Sequence, residues 1–117
     1  MNLQPYIDRL KEQKAEERRQ RRKRRALALR TAEELAARLK RDFGARRVYL
    51  FGSALADEYF YLTSDIDLAV EGLPKENYFL ALFEVNAHEA GFKVDLIELE
   101  TCDERLKRKV LREGKEL

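Results

Sequence analysis

The feature that most constrains the fold is the stretch from residue 48 to residue 70, where two apolar segments flank a glycine turn and an eleven-residue insert. The first segment, residues 48–51, runs directly into Gly52 and Ser53. After eleven residues the second segment, residues 65–70, alternates acidic and apolar side chains. Short apolar runs that end in turn residues are typical of strands. The pattern therefore predicts two strands, at Arg47–Phe51 and at residues 64–71, and the start of a short helix between them.

The first forty residues predict one long helix, or two in succession. Residues 5–43 contain no glycine and no proline after Pro5, and strong helix formers dominate. Gly44 is placed to end the helix. Residues 8–25 are almost all charged, so we expect them to project into solvent or to meet a partner. Apolar residues at steps of three and four predict a packed stripe in the last part, at Leu29, Ala32, Ala36, Leu39 and Phe43.

The second half of the chain predicts two more helices and a third strand. Glycine and proline separate a helix at residues 75–89 from the strands, with Phe79, Leu82 and Phe83 on one side. Residues 92–99 alternate as a strand, and Asp103 can cap a last helix.

These elements predict an α/β fold: a small mixed sheet of three or four strands, helices packed on one face, and a long basic N-terminal helix. A length of 117 residues suits one modest core. We expect a basic helical extension at residues 1–28 and a compact domain at residues 29–117.

The glycine turn and the acidic strand carry the candidate chemistry. Gly52 has no Cβ atom, so the backbone at Gly52 and Ser53 can bring its N–H groups close to a polyphosphate. Asp65 and Asp67 lie two residues apart, which places both carboxylates on one strand face. Two like charges so close favour a divalent cation between them. The segment therefore predicts a site for metal and nucleotide phosphate.

A third carboxylate completes the set that two-metal phosphoryl or nucleotidyl transfer requires. Asp95 stands in the middle of the apolar third strand, where a buried acid without a function would be costly. Glu98 is the competing candidate, but it lies three residues on and so faces the other side of the strand. We expect Asp65, Asp67 and Asp95 to hold two Mg²⁺ ions, with Asp95 acting as ligand or base.

The charge is divided unevenly along the chain. Residues 1–50 carry 16 Lys and Arg against 7 Asp and Glu, whereas residues 51–117 carry 8 against 15. The basic run at residues 18–25 could follow a nucleic-acid backbone, but pairing of helices, with a second copy or an acidic protein surface, is the favoured interpretation. One cysteine, no apolar signal core and no membrane-length apolar run lead us to expect a cytoplasmic protein.

The motifs Gly52-Ser53, Asp65-Ile66-Asp67 and Val94-Asp95-Leu96 resemble those of the nucleotidyltransferase superfamily that includes DNA polymerase beta. Within it, the size is similar to that of the minimal nucleotidyltransferases, over roughly residues 30–115. Many of these are antitoxins encoded beside a HEPN-domain toxin. The resemblance implies that Gly52 and Ser53 bind the nucleotide phosphates and that the three aspartates hold magnesium.

The resemblance also implies a reaction, in which AMP from ATP is transferred to a tyrosine of the toxin. Two other functions stay open at this point. The chain could transfer a nucleotide to a small hydroxylated molecule, although it lacks a second domain to enclose one. It could also be a non-catalytic antitoxin that neutralises its partner by binding, with the long helix as the contact.

Overall fold

The computed structural model describes all 117 residues, as three α-helices and four strands joined by short turns. In chain order these are α1 (Gln4–Phe43), β1 (Arg47–Phe51), β2 (Ile66–Glu71), α2 (Tyr78–Asn86), β3 (Val94–Glu98), α3 (Glu104–Glu113) and β4 (Lys115–Glu116). Short 3₁₀ turns follow β1 at Gly52–Leu55 and Asp57–Tyr59.

The four strands form one mixed sheet in the order β3-β2-β1-β4. Strand β1 is antiparallel to both of its neighbours, whereas β2 and β3 run parallel and are joined through α2. The predicted α/β fold with a small mixed sheet is therefore confirmed. Strand β4, with only two residues, carries too little pattern to be found in the sequence.

The two faces of the sheet are covered by different helices. Leu50 and Leu68 belong to the main core beneath α1 and α2. Tyr49 and Ala69, their chain neighbours, point the other way and pack with Val110 of α3. The prediction that all helices pack on one face is thus wrong for α3, because apolar side chains of the central strands also lie on the second face and need cover there.

Helix α1 is a single helix of 40 residues, and it sets the longest dimension of the molecule, 67 Å. It ends as predicted at Gly44, which has φ of 83° and donates its N–H to Leu39 O. No helix, α1 included, combines the length and the apolar composition that crossing a membrane requires. The side chains of α1 that are buried in the core lie at helical spacing: Ala28, Thr31, Ala32, Leu35, Ala36, Leu39 and Phe43.

The charged part of α1 is not wholly free of the domain. Residues up to Gln20 are exposed, apart from a partly buried Ala15, which agrees with the expected projection into solvent. Arg21, Arg24 and Arg25 are partly buried and contact the domain, so the prediction is wrong for these three. Their long side chains can cover apolar surface while the charge stays near water, which a count of charges does not reveal.

Helix α2 packs through its small residues. A 3₁₀ turn at Lys75–Asn77 precedes it, and Ala81 and Val85 are its fully buried side chains. Phe79 and Phe83 lie on the outer side and are 81% and 69% exposed. The side of the helix that carries the aromatic residues is therefore not the side that meets the core.

Side chains of α2 also cap the outer edge of β3. The Asn86 side chain accepts from Val94 N at 2.8 Å and donates to Val94 O at 3.0 Å. The Tyr78 hydroxyl donates to Leu96 O at 2.7 Å. These bonds satisfy backbone groups that an edge strand otherwise leaves open to pairing with another chain.

Leu39 provides a test of how strongly α1 is anchored to the sheet. It is fully buried, whereas Leu27 on the same helix is 36% exposed. We expect Leu39→Ala to lower the free energy of unfolding by about 3 kcal/mol, because it leaves a cavity in the core. Leu27→Ala should change it by about 0.5 kcal/mol or less. Urea unfolding followed by circular dichroism measures both, and equal losses would contradict the packing described here.

Candidate active site

The turn after β1 brings the backbone against a carboxylate of β2. Gly52 has φ of 79°, a conformation that favours glycine, and Phe51 before it pairs directly with Asp67. A Cβ atom at Gly52 would collide with Oδ2 of Asp67. Glycine is thus required twice, for its backbone conformation and for its close approach to Asp67. The 3₁₀ turn then carries Ser53, which is partly exposed beside it.

The parallel register of β2 and β3 places Asp67 directly beside Asp95. Both side chains point to the face opposite Ile66 and Leu68, which are fully buried in the main core. Asp65 comes one residue before β2 and shares this parity. Strand pairing therefore brings the predicted aspartates of two distant segments to one part of the sheet.

The surroundings of Asp67, including the neighbouring carboxylates, shift its pKa. The pKa of Asp67 is raised to about 6, first by burial and then by the charge of Asp95. A hydrogen bond with Asp95 and the charge of Asp65 raise it further, whereas Lys93 lowers it. Lys93 Nζ lies 3.8 Å from Asp95 Oδ1. The positive charge of Lys93 therefore does not offset burial and the neighbouring carboxylates, so a further positive charge beside Asp67 would be favourable.

Asp95 is exposed, which differs from the buried position expected from its apolar neighbours. Its side chain is 50% exposed, while Val94 and Leu96 on either side are buried. The cause is the edge position of β3, on a sheet face that α3 covers only in part. Glu98, the competing acid, pairs with Val70 and has the parity of the core face. The register thus sets Asp95, rather than Glu98, opposite Asp67.

The donor set fits a divalent cation. Carboxylate oxygens are the ligands that Mg²⁺ prefers, and the raised pKa of Asp67 marks a place where positive charge is favourable. Asp65 adds negative charge nearby, although no three acidic, histidine or cysteine side chains converge on one point in this structure. Asp67 and Asp95 form the central pair of the candidate metal site.

A cavity beside the glycine turn is large enough for a small ligand. Its volume is about 430 Å³, within the range usual for ligand sites. Gly52 and Ser53 line one side, Tyr59 another, and Lys109 with Glu113 of α3 close it. Lys109 is the cation among the residues that line this cavity.

Lys109 and Tyr59 were not predicted as site residues. Lys109 sits in a helix with many charges, and only the packing of α3 against β1 brings it to the turn. Tyr59 and Tyr61 lie in the segment between β1 and β2 and are 65% and 53% exposed.

The comparisons with known proteins agree on one group. The family model described as "Polymerase beta, Nucleotidyltransferase" matches residues 33–117. A search of curated proteins finds no match. The fold is similar to that of a crystal structure of a toxin-antitoxin with AMP-PNP, with a TM-score of 0.59 and 27% identity over 72% of this chain and 70% of that one.

Two variants of an MntA-HpeT toxin-antitoxin give similar values. The crystal structure of a tyrosine-to-alanine variant has a TM-score of 0.56 and 28% identity, over 73% of this chain and 69% of that one. The structure of a variant with two aspartates replaced by glutamate has a TM-score of 0.58 and 25% identity, over 72% and 70%.

The contact between Gly52 and Asp67 can be tested with a matched glycine. Gly91 has φ of 83° but open space where a Cβ would stand. Gly91→Ala should therefore cost only backbone strain, about 1 kcal/mol of unfolding free energy. Gly52→Ala has the same strain plus the collision, so we expect at least about 1 kcal/mol more. Chemical denaturation measures both values.

A double variant isolates the collision. Asp67→Ala removes the side chain that a Cβ at position 52 would strike. Gly52→Ala in that background should cost no more than Gly91→Ala does. If the two single glycine variants lose the same stability, the proposed close approach is wrong.

The raised pKa of Asp67 predicts a pH-dependent gain in stability for Asp67→Asn. The folded-state pKa, about 6, lies above the ordinary value of 3.8, so the protonated acid is favoured by folding. The contribution of the protonated Asp67 carboxyl to folding stability is fully present below about pH 4 and is lost as pH rises through 6. Without metal, Asp67→Asn should raise the melting temperature at pH 8 but not at pH 4. At pH 8 we expect Asp67→Asn to gain about 1 kcal/mol of unfolding free energy, or roughly 4 °C in melting temperature, because water screens part of the charge of Asp67.

Asp42 provides a control of opposite sign for this measurement. Arg41 holds the pKa of that exposed carboxyl below its usual value. Asp42→Asn should therefore give no gain at pH 8. A gain from Asp67→Asn that is the same at both pH values would show that carboxylate repulsion is not its cause.

Proposed function

The chain belongs to the polymerase beta nucleotidyltransferase family, and on that premise we propose that it transfers AMP from ATP to a hydroxyl group of a protein partner. Membership in the family makes a nucleotide the donor substrate. We further propose that the partner is the toxin of a toxin–antitoxin pair, of the HEPN type that the sequence motifs imply.

One observation carries this proposal: the glycine turn lies directly against the carboxylate pair. Gly52 contacts Asp67 so closely that no side chain fits between them, and Asp95 lies beside Asp67 in the sheet. A phosphate held at the turn would therefore lie next to carboxylates able to hold metal ions. This proximity is what nucleotidyl transfer requires.

The residues around the turn would bind the triphosphate. Gly52 and Ser53 are proposed to offer backbone N–H groups, and Ser53 also its hydroxyl. Lys109 lines the same cavity and would add a cation for the phosphate oxygens. The exposed ring of Tyr59 lines it too and would stack on the base.

The carboxylates would act on the acceptor and on the α-phosphate. Asp65, Asp67 and Asp95 are proposed to hold magnesium, as two ions, which would neutralise triphosphate charge and lower the pKa of the attacking hydroxyl. The acceptor oxygen would bond to the α-phosphorus as the bond from the α-phosphorus to the oxygen that bridges it to the β-phosphate breaks. Pyrophosphate would leave, and the half-exposed Asp95 would act as a metal ligand or as the base that takes the hydroxyl proton.

Two features support a protein as the acceptor. Asp95 is half-exposed at the sheet edge, where the surface of another protein can reach it. Similar structures are toxin-antitoxin complexes, and one of them contains AMP-PNP. Another carries two aspartate-to-glutamate changes two positions apart, the spacing of Asp65 and Asp67.

The test is transfer of a label. The protein would be incubated with ATP labelled at the α-phosphate, magnesium and the product of the neighbouring gene. We expect the partner to become labelled, and Asp65→Asn or Asp67→Asn to reduce the rate by at least about 100-fold, since the carboxylates act together. Removal of magnesium with a chelator should stop transfer.

Asp42→Asn is the matched control, because Asp42 is a surface aspartate paired with Arg41 far along the chain from the site. It should transfer AMP at the rate of the unmodified protein. Neutralisation of the toxin that survives Asp67→Asn without any transfer would show an antitoxin that acts by binding alone. Transfer that continues in both aspartate variants would refute the assigned site.

A further inference from the structure

The basic helix reaches the segment that follows the glycine turn. Arg21, Arg24 and Arg25 are partly buried and continue the packed stripe of α1 at the same helical spacing, over the two turns before Ala28. They face residues 54–61 and Phe92 rather than open solvent. These three arginines lie before residue 33, outside the part of the chain that the family model matches.

Arg25 makes the most direct contact with the turn. Its Nε donates to Ala54 O at 2.8 Å, and its NH1 group donates to Asp57 Oδ1 at 3.1 Å. The side chain is only 21% exposed, so these bonds are partly shielded from water. Ala54 is itself buried and follows Ser53 directly. One guanidinium therefore joins two consecutive 3₁₀ turns, the first of which contains Gly52 and Ser53.

Arg21 and Arg24 hold the rest of the segment through aromatic rings. The guanidinium carbon of Arg24 lies 4.2 Å from the centre of the Phe92 ring, and that of Arg21 lies 5.2 Å from Tyr61. Phe60 is fully buried and packs against Phe92 at 6.4 Å. Planar guanidinium groups stack on rings in a way that lysine does not reproduce.

Charge complementarity adds to these contacts. Asp57 and Glu58 face Arg18, Arg21 and Arg22 across a cavity of about 390 Å³. The segment that bears the phosphate-binding turn therefore has negative side chains toward the helix, and the helix has positive ones toward the segment. This pairing explains part of the arginine run without nucleic acid.

We propose that Arg25 is a positioning residue that fixes the Gly52–Ser53 turn for nucleotide binding, with Arg21 and Arg24 bracing the same segment. The proposal rests on the function proposed above. Holding Ala54 O limits the movement of the adjacent backbone, so the N–H groups at the turn meet the phosphates without first being ordered. The N-terminal extension is then part of the nucleotide site rather than an appendage.

The test compares charge variants of one helix in the full-length protein. Affinity for AMP-PNP with magnesium would be measured by calorimetry, together with amide hydrogen exchange at Tyr59 and Phe60, whose N–H groups donate to Ala56 and Asp57. We expect Arg25→Ala to weaken AMP-PNP binding about tenfold and to speed exchange about tenfold at these amides. Exchange in β1 and β2 should stay unchanged.

Two further variants separate positioning from charge. Arg25→Lys keeps the charge but cannot reach both acceptors in the same way, so it should restore only part of the affinity. Lys23→Ala removes a charge from an exposed position of the same helix and should leave both readouts unchanged. If Lys23→Ala and Arg25→Ala weaken binding equally, general electrostatics acts and the proposal is wrong.

The remaining outcomes also decide whether Arg25 positions the turn. Equal AMP-PNP affinity and equal exchange in the unmodified protein and Arg25→Ala would overturn the proposal. If Arg25→Ala does not fold, Arg25→Lys and Asp57→Asn supply the comparison, and both should speed exchange at Phe60. If the unmodified protein binds no AMP-PNP, the proposed function fails, while the exchange rates still show whether Arg25 holds the segment.

Discussion

The parallel pairing of β2 with β3 is the constraint on which the candidate site depends. Its register sets Asp67 beside Asp95, and the neighbouring core residues Ile66 and Val94, which pair in the same register, hold both strands in place. The carboxylates repel each other at a partly buried position, which stability alone would not favour. The apolar core thus supports an acidic pair that a cation would stabilise, a balance common at functional sites.

The rest of the architecture can be understood as support for that pair. Strand β1 ends against Asp67, which places the glycine turn at the carboxylates. Helix α3 covers the other face of the sheet and brings Lys109 to the turn. Helix α1 packs on the core and continues past it to residues 54–61. Strand β1 and helices α1 and α3 therefore meet around one short 3₁₀ turn.

Much of this could be predicted, because several signals are local. Gly44 ends α1, the Arg47–Phe51 strand has the predicted bounds, and Asp103 caps α3 by accepting from Arg105 N. The aspartate positions followed from strand alternation. The exposure of Asp95 did not, because whether a strand lies at the edge of a sheet is set by its partners, and the outward direction of Phe79 on α2 likewise depends on what the helix packs against.

By itself, the sequence determined most of the secondary elements, the family and the residue types that the chemistry needs, since helix propensity, glycine conformation and period-two alternation all act between near neighbours in the chain. Only the tertiary structure decided which groups meet. It set Asp95 opposite Asp67, brought Lys109 to the cavity and joined Arg25 to Ala54 O. Contacts between residues so distant in sequence depend on how helices and strands pack, which no local pattern encodes.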